Sequence, residues 1–202
     1  MTAVKALCGS GILLNLGKIV HSGPVEHVIS FYLNTFLKSG DSEELTSGMH
    51  RSGTGEALIN RVVIKDGNGR NVSHVRINEP ITISIMFSVR QPVKNIRIGL
   101  GIDTIEGARI STFHHTDGGQ EPFSGDVGEY EISFNFKNPL LAGVYIISVG
   151  AHYVRGLAAV DYVPEALRLE VIDSNTGEEL LPHYNYGLTH FLGTWEAPRH
   201  IG

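Results

Sequence analysis

Between Pro80 and Arg90 apolar and polar residues alternate without a fault. Ile81, Ile83, Ile85, Phe87 and Val89 fall on one side, and Thr82, Ser84, Met86, Ser88 and Arg90 on the other. Successive side chains of a strand point to opposite faces, so this pattern predicts a strand with one buried and one wet face. The period recurs at Lys94–Thr104 (Ile96, Ile98, Leu100 and Ile102 inward) and at Glu129–Lys137, where Tyr130, Ile132, Phe134 and Phe136 share a face. It recurs again at Gly143–Val154, with Tyr145, Ile147, Val149 and Ala151 inward, and at Ala166–Asp173, where Leu167, Leu169 and Val171 alternate with Arg168 and Glu170. Ala57–Asp66 reads as a strand ending at Asp66-Gly-Asn-Gly, a turn signal that predicts Val72–Ile77 as its return strand. Ala108–His115 is a further short strand. Half-buried strands at short spacing, joined by Gly, Asp, Asn and Pro, predict an all-β chain, an antiparallel β-sandwich over residues 57–202.

The beginning of the chain obeys another rule. Ile12-Leu-Leu and Lys18-Ile-Val flank Asn15-Leu-Gly17 as two short strands around a tight turn. Pro24 suits the first turn of a helix, where a missing N–H costs nothing. Val25, Val28, Ile29, Tyr32, Leu33 and Phe36 then follow at helical spacing, and Ser39-Gly40 is expected to end the helix. A hairpin and one helix cannot enclose a core, so residues 1–38 form a short hairpin-helix appendage. Residues 39–56, rich in Ser, Gly and acidic groups, read as a linker. The stretch His183–Trp195 carries Tyr184, Tyr186, Phe191 and the sole tryptophan, and is expected to dock on the sandwich or on a second copy.

Composition narrows the function. With 42% hydrophobic and only 18% charged residues the chain is not disordered, and no apolar run approaches the roughly 18 residues of a membrane span. A net charge of −5 argues against nucleic acid as a partner. The single cysteine, Cys8, forms no internal disulfide, and the first residues lack an apolar leader, so cytosol is the expected location. Gly17-Lys18-Ile19 fails the phosphate-loop pattern at both ends, and Gly99-x-Gly101 opens no helix, so neither nucleotide motif is met. His114 and His115 are neighbours on a strand and cannot easily share one ion. Arg70 and Asn71 stand where a calcium loop needs a ligand and a glycine. No nucleophile elbow is present, and nothing marks Cys8 as an activated thiolate. No catalytic residue, metal or cofactor is expected.

One constellation remains. If the apolar sets above face the core, the opposite face of 94–104 shows Arg97, Gly99, Gly101 and Asp103, and that of 143–154 shows Ile146, Ser148, Gly150 and His152. Those two strands are plausible neighbours in such a sandwich, with Arg168 alongside. Glycine inside a strand costs stability and marks a place where a ligand or another backbone comes close. Arg97, Asp103, Ser148, His152 and Arg168 around a floor of small residues suit the hydroxyls of a sugar; an ordinary solvated face is the competing reading. Ile146 and Val144, if exposed there, instead favour a module that only dimerises or docks to other subunits. A metal-dependent enzyme built on the histidines is a third alternative.

Leu7-Cys8, Ile12-Leu-Leu, Gly17-Lys-Ile-Val, Gly23-Pro24, Glu26-x-Val28-Ile29 and Tyr32-Leu33 resemble the last segment of an ABC-transporter ATPase domain. Arg51-Ser-Gly-Thr-Gly-Glu-Ala, Gly143-Val-Tyr-Ile-Ile-Ser-Val-Gly, Asp161-Tyr-Val-Pro-Glu-Ala-Leu-Arg-Leu-Glu-Val and the closing Gly193-Thr-Trp-Glu are similar to another region. That region is the C-terminal domain of the ATP-binding subunit of O-antigen polysaccharide exporters, the Wzt type. The resemblance implies an immunoglobulin-like domain that binds the non-reducing end of a lipid-linked O-antigen polysaccharide at the cytoplasmic face and selects it for export. It also implies a homodimer with exchanged C-terminal strands and, in the full-length protein, a membrane subunit of the transporter as partner. The Walker and signature motifs are missing, so this chain is not expected to hydrolyse ATP.

Overall fold

The computed structural model describes residues 7–15, 17–36, 42–45, 50–155, 158–172 and 187–189. Strands β1 (Ser10–Asn15) and β2 (Lys18–Pro24) form an antiparallel hairpin whose turn holds Gly17 at φ 77°. Helix α1 (Val25–Phe36) lies across it, buries Val25, Val28 and Ile29, and sets Val28 against the bare backbone of Gly11. Ile105 packs against Val25 and Ile29. The expected helix end at Ser39-Gly40 lies outside the described residues, as does most of the aromatic stretch His183–Trp195.

The sandwich follows the period-two pattern. Strands β3 (Ser42–Glu44), β4 (Ala57–Lys65), β6 (Pro80–Val89) and β10 (Gly128–Lys137) form a four-stranded sheet in the order β10-β6-β4-β3. The larger sheet holds β5 (His74–Arg76), β7 (Val93–Thr104), β8 (Arg109–His114), β9 (Phe123–Gly125), β11 (Gly143–Tyr153) and β12 (Ala159–Ile172). Its order is β5-β12-β11-β7-β8, with β9 taking over the free edge of β7 beyond β8. The inward sets named from the sequence meet in one core: Ile81, Ile83, Ile85 and Phe87 from one sheet; Ile96, Ile98, Leu100, Ile147, Val149 and Leu169 from the other. Burying such side chains is the main force holding the layers together.

Two tyrosines fasten strand starts to the turns before them. Tyr145 Oη donates to the Leu141 carbonyl (2.7 Å) and Tyr130 Oη to the Asp126 carbonyl (2.9 Å). Burial pushes the Tyr145 hydroxyl up to about 12.

Three expectations need correction. Residues 39–56 are more than a linker: 42–44 form β3 on β4, and Leu45 enters the core. Residues 51–55 run along β12, with Ser52 paired to Tyr162, Thr54 N–H on Ala159 O and Gly55 N–H on Val160 O. Second, the Asp66 turn forms, and Asn71 and Val72 still face Lys65 and Ile64, but 74–76 cross to the other sheet and pair parallel with β12. The sandwich therefore has one parallel edge. Third, β12 begins at Ala159, well before the expected Ala166, and runs through Pro164. Its register against β11 shifts between Ile147 and Val149, and a proline without an N–H is tolerated at such a bulge.

The segment at 51–55 contains the main tie between the sheets. Asp161 of β12 is 1% exposed and accepts from Arg51 Nε (3.1 Å), Arg51 Nη2 (2.8 Å) and the Ile59 N–H of β4 (2.8 Å). Arg51 Nη2 also donates to the Ile59 carbonyl (2.7 Å). Gly53, at φ 146°, lets this segment press on the Val160 backbone, where any Cβ would collide. Removing one partner of a buried pair strands the other, so Asp161→Ala is expected to cost about 3 kcal/mol in urea unfolding, far beyond a typical surface substitution.

Candidate functional site

The outer face of the larger sheet is built by register. Along the β7–β11 ladder Arg97 stands opposite His152, Gly99 opposite Gly150, Gly101 opposite Ser148 and Asp103 opposite Ile146. Strand β8 extends these rows with His114 beside Gly99, Thr112 beside Gly101 and Arg109 beside Asp103. Strand β12 adds Tyr162 beside Gly150 and Arg168 beside Ile146. The five residues singled out from the sequence therefore lie on one face, as the alternation requires.

They are not equally available. Ser148 is 1% exposed, because the Arg109 guanidinium lies across Gly101 and donates to Asp103 (2.6 Å), Thr112 (3.0 Å) and Ser148 (3.1 Å). Asp103 is thus paired, and Ser148 also faces it at 3.4 Å. This corner is a closed polar network that stiffens one end of the face. Arg97, His152 and Arg168 remain half-buried. Ile146 is buried at 8%, so the exposed aliphatic that favoured a docking-only module is absent; Val144 is half-buried.

The glycines explain the texture. A Cβ on Gly150 would sit 2.7 Å from the His152 ring and 3.0 Å from the Tyr162 ring, and one on Gly99 would sit 2.8 Å from the His114 ring. The bare backbone lets three flat rings recline on the sheet, with the His152 and Tyr162 centroids 6.1 Å apart. The result is a shallow platform of rings and guanidinium groups. Tyr162, His114, Thr112 and Arg109 were not foreseen. Tyr162 stood outside the expected strand, and β8 was recognised as a strand but not as the flank of this face.

His115 is spent on structure. Its Nδ1 accepts the Ile98 N–H (3.0 Å) and its Nε2 lies 3.2 Å from the Glu121 carbonyl, so a ring protonated on Nε2 bridges the gap on β7 between β8 and β9. Among the described residues no three His, Cys, Asp or Glu side chains gather as metal ligands. At the Asp66 turn the Arg70 guanidinium occupies the carboxylate at 2.8 and 3.0 Å. Between the sheets, where β8 and β10 leave the sandwich open, lies a cavity of about 500 Å³ walled by Phe113, Ile132 and Phe134 and rimmed by His114, Asp117 and Gln120.

The sequence profile of the Wzt C-terminal domain matches residues 49–190, more than half the chain. The chain belongs to the Wzt C-terminal domain family. The crystal structure of the C-terminal domain of Wzt superposes with a TM-score of 0.66 at 15% identity, covering 83% of this chain and 95% of that one, and so shares the fold. A Niemann-Pick type C2 protein from the Japanese carpenter ant reaches only 0.43 at 12% identity, over 61% of this chain and 100% of that one. No curated protein matches the sequence. Within the matched residues of this Wzt-type domain, pairing with β12 begins at Ser52, whereas β3 already pairs with β4 just before the match starts.

On the outer face His152 stands opposite Arg97. Burial first, then the charges of Arg97 and His114, hold its imidazole below the ordinary 6.5. A depressed histidine favours the fold while neutral, so its contribution is full above pH 6.5 and declines as the pH falls below that value. Imidazole NMR should place the His152 midpoint below 6.5, and Arg97→Gln should raise it; a midpoint at or above 6.5 contradicts the arrangement.

Proposed function

We propose that this chain recognises, without catalysis, the non-reducing end of a lipid-linked O-antigen polysaccharide and thereby selects it for ABC-transporter export. The observation that carries the reading is the ring-and-guanidinium platform on the outer face of the larger sheet, in a Wzt-family domain. Flat rings on a glycine floor suit the C–H faces of pyranose units, while Arg97, His152 and Arg168 supply hydrogen-bonding groups for hydroxyls. Asp103 and Ser148 act one step back, by holding Arg109.

Individual sugar contacts are weak, so two linked sites gain by effective concentration. A homodimer made by exchange of C-terminal strands fits this reading. Leu188 and Thr189, within the aromatic stretch His183–Trp195, meet Leu141 and Leu140 beside the β10–β11 turn. The reading puts the domain at the cytoplasmic face of the inner membrane, bound through the transporter's membrane subunit. No described helix is long and apolar enough to cross a membrane.

Titration of the labelled chain with its host's own O-polysaccharide tests the proposal. Amide shifts should cluster at Gly99, Gly150 and Tyr162, and Arg97→Ala with His152→Ala should weaken binding by about tenfold or more. Unchanged binding in the double variant removes the site, and no binding to the matched glycan removes the function. Light scattering should give a dimer for the full chain and a monomer after truncation before His183.

A further inference from the structure

The inner face of β10 is not sealed. Its inward residues Tyr130, Ile132, Phe134 and Phe136 are only half-buried, although the β6 residues paired with them, Phe87, Ile85, Ile83 and Ile81, are at most 3% exposed. Strand β8 of the facing sheet repeats this, with Ile110 and Phe113 packed against the core yet half-buried. Both β8 and β10 are edge strands. Aromatic rings join the two sheets along this opening at two points. Phe113 lies 4.7 Å from Phe134 and 6.2 Å from Phe136, and farther along β10 Phe123 of β9 meets Tyr130 at 4.9 Å.

Ile132 stands between those points, and there the interior is open. The cavity of about 500 Å³ has Ile85, Ile98 and Leu100 as its floor and Ile132, Phe113 and Phe134 as its walls. An apolar space of this size offers water few partners, and a hydrocarbon that fills it leaves water on almost every side.

The rim selects the head group. Asp117 is its carboxylate, already engaged by the His114 N–H at 2.7 Å, and beside it stand the neutral Gln120, Ser133 and Asn135. Asn135 Oδ1 accepts from Thr82 Oγ1 (2.6 Å), so its amide N–H groups remain as donors. No lysine or arginine is among the described residues that line the cavity. An anionic head would face Asp117 without a counter-cation, whereas a hydroxyl finds amide and hydroxyl partners.

We propose that the space between the sheets takes the alkyl chain of a single-chain lipid with an uncharged hydroxyl head, a fatty alcohol or a monoacylglycerol. The alkyl chain passes between the aromatic contacts onto Ile85, Ile98 and Leu100, and the head stays at Gln120 and Asn135. The site lies on the inner side of the larger sheet and needs none of Arg97, His152 and Arg168, so it stands or falls apart from the glycan reading.

The test titrates the labelled protein with 1-octanol, 1-decanol and decanoate at pH about 8, where an ordinary imidazole is neutral. Decanol should bind about tenfold or more tightly than octanol, since each buried methylene is worth about fourfold, and about tenfold or more tightly than decanoate. Nuclear Overhauser contacts from the decanol methyl should reach the methyls of Ile85, Ile98 and Ile132. Ile132→Trp, which fills the space, should abolish binding; if that variant does not fold, the contacts in the unaltered protein decide the site. Absence of binding, no gain of decanol over octanol, or contacts elsewhere overturns the proposal. Decanoate bound as tightly as decanol overturns the uncharged head. Contacts from the Trp195 ring to Ile132 without ligand would mean that the protein's own aromatic stretch fills the space, which also overturns the proposal.

Discussion

The ladder between β7 and β11 runs from Tyr145–Thr104 to Tyr153–Ile96 with each β7 residue opposite one β11 residue. Both strands are buried on their inner faces, by Ile96, Ile98, Leu100 and Ile102 on one and Tyr145, Ile147, Val149 and Ala151 on the other. A slip of one residue would turn those side chains to the outside. The core therefore fixes the register, and the register alone brings Gly99 against Gly150 and Arg97 against His152. The outer face is a by-product of a constraint imposed from within. The bulges sit around it: in β12 against Ser148, and between Ile102 and Asp103 where Arg109 comes into line with the carboxylate. Bulges re-aim side chains without disturbing the ladder beside them.

The Arg51–Asp161 pair does related work between the layers. Ile59 belongs to β4 and Asp161 to β12, so one carboxylate and one guanidinium join the two sheets through the backbone groups of Ile59. Hydrophobic burial is non-directional, whereas a bidentate pair with a backbone N–H and carbonyl in the same cluster has one geometry. This arrangement also gives Arg51-Ser-Gly-Thr-Gly a physical reading: the arginine forms the tie, Gly53 gives the clearance over Val160, and Ser52 and Gly55 pair with β12.

The legible part of the molecule was that governed by local alternation. The inward residues of β6, β7, β10 and β11, and the common face of Arg97, Asp103, Ser148, His152 and Arg168, follow from period two and need no long-range information. What escaped depends on partners far along the chain. Asp161 lies 110 residues from Arg51, and nothing near either one announces the pair. The expected strand began only at Ala166, but β12 starts at Ala159 and a bulge against β11 absorbs Pro164, and so Tyr162 joined the platform unseen. Strand β5 was read as a hairpin return because its turn chemistry is strong, but Val75 is 1% exposed in the core and its backbone finds a parallel partner in β12. Ser148 and Ile146 were assigned to the right face but the wrong degree of exposure, because the arginine that covers Ser148 comes from β8.

The three glycines separate what the fold requires from what the face uses. At Gly99 a Cβ would lie 2.7 Å from the Phe113 carbonyl, so the approach of β8 to β7 itself depends on that position being bare. At Gly101 and Gly150 the nearest obstacles are the ends of side chains: the Arg109 guanidinium, the Ser148 hydroxyl, and the rings of His152 and Tyr162. Those groups could swing outward, and the sheet would tolerate alanine at a cost offset in part by the conformational freedom glycine gives up on folding. A strand-interior glycine that backbone packing does not demand loses the stability a side chain would add. What it gains here is flatness: with no Cβ in the way, Arg109 reaches Asp103, Thr112 and Ser148 at once, and the two rings lie against the backbone. Gly101 and Gly150 are therefore better explained by the shape of the outer face than by the sandwich beneath it, and the proposal of a ligand that lies flat rests on that distinction.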